Sequence, residues 1–256
     1  MEFQINCSPD EIKKFQDIIS NNQNRDFVMK RIERNVSGQF QKPSQEEIWQ
    51  TMVMCLLTSQ QRSSSQSSVN KFLDEKPFRL SLEKLDKVDN IESFVLSEIK
   101  EFRGIRFGPK ISDQVKYNLK ELKTGGWEKI NDYVLKLLEQ RKQTPRPEHY
   151  QLEREAARLI SNVYLGFGPK QSRNFWQELG LTRYEFVLDS RVNKWLRQIG
   201  FPIPLSSMSM GEEEFYCFLS DILRDLCIKA DVLPCVLDAA IFSSYDSQDL
   251  PEDGAV

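Results

Sequence analysis

Tyr164-Leu165-Gly166-Phe167-Gly168-Pro169-Lys170 is the stretch that decides how this chain is read. Two glycines separated by one apolar residue permit a tight turn, and the proline behind them suits the first position of a helix. Before the turn, Tyr150–Val163 carries apolar residues at helical spacing, and residues 170–179 do the same after it. The pattern predicts two helices joined by a short glycine-rich hairpin. Backbone amides of such a turn, with the N-terminus of the second helix, can face a phosphate without needing a basic surface.

The chain contains a near copy. Phe107-Gly108-Pro109-Lys110-Ile111-Ser112 repeats the pattern of Phe167-Gly168-Pro169-Lys170-Gln171-Ser172. The residues downstream separate the two copies. Nineteen residues after Lys170 stands Asp189, in Phe186-Val187-Leu188-Asp189-Ser190-Arg191-Val192. An apolar run ending in Asp at a helix start predicts a carboxylate held as N-cap. Nineteen residues after Lys110 is Lys129, which cannot serve that role. Of the two lysines Lys170 is therefore the one singled out, and the earlier copy reads as a helix-start turn.

Outward from the hairpin, the punctuation is helical. Ser8-Pro9-Asp10-Glu11 and Ser44 with Glu47 are capping boxes, and Ile48, Met52, Cys55 and Leu56 succeed the second at helical spacing. Further helices are expected over 81–85, 91–102, 112–122 and 127–143, with Thr144-Pro145-Arg146-Pro147 as the clearest break. Beyond Asp189, helices are expected over residues that include Trp195, then 212–228 and 234–242. No run of alternating strands interrupts them, so the expected class is all-α.

Composition bounds the rest. The 256 residues are 39% hydrophobic and 29% charged, enough for one large domain or two modest ones. No apolar run approaches the roughly 18 residues that span a bilayer, and the opening has no signal-peptide pattern. Five cysteines suit a reducing compartment. A soluble intracellular monomer is expected, cytoplasmic if the source is bacterial or archaeal. The net charge of −3 argues mildly against nucleic acid. It averages over a C-terminal stretch with four acids and no base, and over the window 100–123 with seven bases and three acids. A local basic face is thus allowed, although such a run also suits a solvated helix.

The hairpin, its lysine and the delayed aspartate resemble the helix-hairpin-helix DNA glycosylase superfamily, the group of endonuclease III, adenine glycosylase and 8-oxoguanine DNA glycosylase. The signature maps onto Gly166, Phe167, Gly168, Lys170 and Asp189. Leu56-Leu57-Thr58-Ser59-Gln60-Gln61 resembles the segment in which that superfamily carries a Gln or Asn filling the gap left by an extruded base. The 104–118 segment resembles its helix upstream of the hairpin. The resemblance spans residues 44–200.

It implies two helical domains, 44–176 ending in the hairpin and 1–43 with 177–242, and an active site in the cleft between them. By composition, the acidic stretch 243–256 reads as a disordered tail. The resemblance further implies that Gly166, Phe167, Gly168, Pro169, Gln60 and Gln61 bind damaged double-stranded DNA, and that Lys170 and Asp189 are catalytic. The chemistry suits those residue types. A fixed carboxylate stabilises the sugar cation left when an N-glycosidic bond breaks. A neutral amine attacks C1′ to form a Schiff base, from which the strand breaks by β-elimination. A free lysine with a pKa of about 10.4 is neutral in about one molecule per thousand near pH 7.4. Imine chemistry therefore requires surroundings that favour the neutral amine, and a helix N-terminus acts in that direction.

Phe215, Tyr216 and Phe218 are candidates to sandwich a flipped base, and the same aromatics suit a helix core. Cys217, Cys227 and Cys235 are too few and too widely spaced for the four-cysteine cluster of some superfamily members. No zinc pattern occurs, and His149, the one histidine, lies beside the Pro-rich break. No metal or cofactor is expected. Lys170 without the cluster points to the 8-oxoguanine branch, a bifunctional glycosylase and abasic-site lyase. The alternatives are a glycosylase for alkylated or deaminated bases without imine chemistry, and a non-enzymatic helix-hairpin-helix module that grips DNA.

Overall fold

A computed structural model describes residues 7–38, 40–61, 66–203, 206 and 208–246. The chain divides into two compact units, Phe40–Leu181 and the segments on either side of it, Met1–Gln39 with Thr182–Val256. Among the described residues the regular structure is helical throughout, and no helix is long and apolar enough to cross a membrane.

The Phe40–Leu181 unit begins with α3 (Gln45–Leu57), after α1 (Pro9–Ser20) and α2 (Asp26–Ile32) of the other unit. The Ser44 capping box is formed: Glu47 N–H donates to Ser44 Oγ at 3.2 Å, and Ser44 N–H to Glu47 Oε2 at 2.8 Å. After it come α4 (Ser68–Asp74), α5 (Leu82–Leu85), α6 (Ile91–Glu101) and α7 (Gly108–Glu121). A wide turn at Leu122–Gly126 leads into α8 (Trp127–Lys142), and the hairpin is α9 (Tyr150–Val163) and α10 (Pro169–Glu178). Their apolar faces enclose Trp49, Met52, Leu57, Phe72, Leu80, Val115 and Trp176. Helix α4 lies in what composition presents as a Ser-rich loop. Ser67 caps it, and Val69 and Phe72 are buried, so tertiary packing supplies what seven residues of local propensity do not.

The other unit holds α1 (Pro9–Ser20), α2 (Asp26–Ile32), α11 (Ser190–Gln198), α12 (Glu213–Lys229) and α13 (Pro234–Asp246). Ser8 and Glu11 form the first capping box. Phe15, Phe186, Trp195, Tyr216, Leu223 and Ile241 make its core, with Phe15 and Trp195 edge to face at 5.1 Å. Of the expected acidic tail over 243–256, residues 243–246 complete α13, and 247–256 lie outside the described residues. The division between units falls after Leu181, whereas residue 176 lies inside α10.

Candidate active site

In the hairpin, Val163 ends α9 and the chain turns through Gly166 at φ +87°. A Cβ there would meet Leu56 Cδ2 at 2.5 Å and Gln114 Nε2 at 2.7 Å, so α3 and α7 leave room for a glycine alone. Buried Asn118 of α7 grips the turn from below. Its Nδ2 donates to Leu165 O at 2.9 Å, and its Oδ1 accepts Leu165 N–H at 2.8 Å. Phe167 is 5% exposed, edge to face with Phe175 at 6.1 Å, and Pro169 is buried. Those two side chains are packed into the turn.

Gly168 differs. It is exposed, has φ −89°, and a Cβ built on it would meet no atom within 4 Å. The fold has no steric use for a glycine there. It is also the N-cap of α10, where amides are free to meet an anion.

Lys170 comes next but one, half-buried in the first turn of α10. No carboxylate among the described residues of its own unit forms an ion pair with it. Beneath α10, Gln171 Nε2 donates to Cys55 O at 2.8 Å, and Asn174 Nδ2 reaches Cys55 Sγ at 3.5 Å. Burial pushes the Cys55 thiol up to about 12, against a smaller pull from the Lys170 ammonium, so the group under the lysine is a neutral thiol. These contacts lock α10 to the last turns of α3.

Three residues past that helix, Gln60 is exposed in the left-handed region, at φ +58°. Gln61 is occupied: its Nε2 donates to Leu57 O and its Oε1 accepts Arg106 N–H at 2.9 Å. Of the two glutamines, Gln60 is the free one. Sequence reasoning missed its neighbours. Arg106 Nη2 donates to Gln60 O at 2.6 Å, and its guanidinium lies over the ring of Phe107 at 5.2 Å. Phe107 is 43% exposed at φ +63°. A bulky residue held exposed in that conformation is uncommon, and nothing in the sequence marks it except the repeat, which reads as a mere helix start. Lys116 and Lys123 of the basic window pair with Glu92 and Asp86.

In the other unit, Asp189 is the N-cap of α11. Its Oδ1 accepts the N–H groups of Arg191 at 2.8 Å and Val192 at 3.0 Å, and Arg191 Nη1 lies 3.3 Å from Oδ2. The Arg191 guanidinium in turn stacks on Phe242 at 4.1 Å. The carboxylate is thus oriented with one oxygen committed to the helix, and its side chain is 17% exposed.

The three aromatics expected to face a base divide. Tyr216 is fully buried and offers no ring face; its hydroxyl donates to Phe186 O at 2.9 Å and accepts Leu188 N–H at 2.8 Å. Phe215 packs on the core, and Phe218, 37% exposed, lies 6.3 Å from it between ring centres. The side chain of Tyr216 therefore serves the fold, and Phe218 is the accessible one. His149 is half-buried in the single turn Pro147–His149.

Neither a family sequence model nor a curated protein sequence matches the chain. Solved structures do. An 8-oxoguanine glycosylase/lyase of Methanocaldococcus jannaschii, in complex with a 15mer DNA containing 8-oxoguanine, aligns with a TM-score of 0.63 and 18% identity over 94% of this chain and 99% of that one. Another structure described as the 8-oxoguanine DNA glycosylase of the same organism gives 0.63 and 19%, over 94% and 95%. The 8-oxoguanine DNA glycosylase of Thermotoga maritima gives 0.60 and 16%, over 94% and 97%. This chain therefore shares, over 94% of its length, the all-α fold of these 8-oxoguanine glycosylase structures.

Proposed function

We propose that this protein is a base-excision-repair DNA N-glycosylase with abasic-site lyase activity, acting on an oxidised purine, 8-oxoguanine first. The observation that carries the reading is the half-buried Lys170, without an ion-pair partner among the described residues of its unit, two residues past an open glycine at a helix N-terminus. Asp189 supports it as a carboxylate fixed by its own helix. A phosphate that meets the amides at Gly168 would hold the backbone of the damaged strand. The damaged base leaves the stack, and Gln60 occupies the gap beside Phe107. Asp189 Oδ2 stabilises positive charge on the sugar as the glycosidic bond weakens. The neutral Lys170 amine attacks C1′ as the base departs; the attached nitrogen loses a proton, the C1′–O4′ bond breaks with O4′ taking up a proton, and the resulting imine lets a C2′ proton leave and the 3′ phosphate be expelled by β-elimination.

Borohydride trapping tests this on duplexes carrying 8-oxoguanine, uracil, an alkylated purine or an abasic site. A covalent adduct with the 8-oxoguanine duplex, absent in Lys170→Gln, is the expected result. Base release without any adduct would transfer the assignment to a glycosylase of alkylated or deaminated bases. Neither adduct nor base release would leave a DNA-binding module. In that case Asp189→Asn should keep all duplex binding.

A further inference from the structure

We propose that Tyr216 is the positioning residue of Asp189, acting on base excision through that carboxylate and not through the base. The inference rests on the role given to Asp189 above.

The segment from Thr182 to Leu188 crosses the core of its unit without forming a helix, so its backbone groups need partners from elsewhere. They find them in side chains and in one neighbouring amide. Asn35 Nδ2 donates to Thr182 O at 2.8 Å, Cys235 N–H to Arg183 O at 3.1 Å, and Val187 N–H to Asp238 Oδ2 at 3.3 Å. Tyr216 does more than any of these. One hydroxyl donates to Phe186 O at 2.9 Å and accepts Leu188 N–H at 2.8 Å, spanning three consecutive residues and stopping one short of Asp189.

Two constraints therefore bracket the carboxylate. Tyr216 fixes the chain entering Asp189, and the amides of Arg191 and Val192 fix the side chain on leaving it. The tyrosine is fully buried, so no water competes for either of its hydrogen bonds. Removing the hydroxyl leaves a carbonyl and an amide unpaired in the interior, and the segment must shift to satisfy them. Misplacing a group that acts on the reacting atoms by about 1 Å can cost about 100-fold in rate.

The test uses full-length protein as wild type, Tyr216→Phe, Asp189→Asn and the double variant, with single-turnover base release and duplex affinity measured separately. Tyr216→Phe should slow base release by about 10- to 100-fold while duplex affinity stays within about twofold. In the Asp189→Asn background it should produce no further loss. Equal losses in both backgrounds would overturn the positioning role, and so would a folded Tyr216→Phe protein with the wild-type rate. Absence of base release from the wild-type protein would instead overturn the functional reading itself. If Tyr216→Phe does not fold, amide exchange in the wild-type protein decides. The Leu188, Arg191 and Val192 amides should open as one unit, and cap amides exchanging much faster than Leu188 would refute the coupling.

Discussion

Gly166 and Gly168 stand two residues apart in one turn, yet alanine at each position should have opposite consequences. At Gly166 the backbone sits at φ +87°, which costs an L-residue about 1–2 kcal/mol. The added methyl would also lie 2.5 Å from Leu56 Cδ2 and 2.7–2.9 Å from the Gln114 amide, in a packed region. Overpacking of that kind costs about 1–3 kcal/mol, so the sum is about 2–5 kcal/mol. Melting should fall by roughly 5–15 °C. At Gly168 the backbone is ordinary and the space is empty, so stability should stay within about 0.5 kcal/mol. If a phosphate approaches the amides there, the methyl holds it off. Loss of one charge-assisted hydrogen bond, about 1.5–3 kcal/mol, weakens duplex binding by about 10- to 150-fold. Thermal melts followed by circular dichroism, with fluorescence anisotropy on a duplex carrying an abasic-site analogue, measure both quantities. A Gly168→Ala protein that binds like wild type, or melts as low as Gly166→Ala, would refute this account of the turn.

Gln60 and Gln61 should separate in the same way. Gln61→Ala removes two side-chain hydrogen bonds and should lower stability by about 1–2 kcal/mol in a melt. Gln60→Asn, which tolerates the left-handed backbone, should leave melting unchanged and slow base release. Asn118→Ala frees both polar groups of Leu165 and should destabilise by about 2–4 kcal/mol, read from a denaturant midpoint. Alkaline pH should also unfold the protein. Burial raises the Cys55 thiol from 9.0 to about 12, so the unfolded chain ionises first. The stability this thiol contributes is complete below pH 9 and is lost as pH rises toward 12. Burial moves Tyr164 in the same direction, so Cys55→Ala should flatten the decline in a pH series of melts without abolishing it.

Much of the helical framework was legible because its signals are local. A Ser three residues before a Glu at the start of a helix closes a capping box through contacts within one turn, and both boxes formed at Ser8 and Ser44. The hairpin and the Asp189 cap were legible for the same reason, since a Gly-x-Gly turn and an Asp before a helix act within a few residues. Helix α4 was not. Its seven residues form a helix because Val69 and Phe72 find a core to enter.

The two Phe-Gly-Pro-Lys sequences mark where local information stops. Each begins a helix with proline in its first turn, as the sequence alone requires. In the first, Phe107 is exposed while Gly108 is packed, with Leu96 and Ile99 3.2–3.3 Å from where its Cβ would be. In the second, Phe167 is buried against Phe175 while Gly168 is open. The tetrapeptide is the same, so the inversion comes from the helices packed around it: α6 fills the space beside the first glycine, and the core around α10 takes the second phenylalanine. Tyr216 obeys the same logic. Its spacing on α12 marked an aromatic, and the backbone of the segment before Asp189 decided what its hydroxyl holds. Sequence determined where helices start and which residues could carry chemistry, because caps and turns are made within a few residues. Tertiary structure decided which of those residues are free to meet a ligand, because burial depends on neighbours far away in the chain.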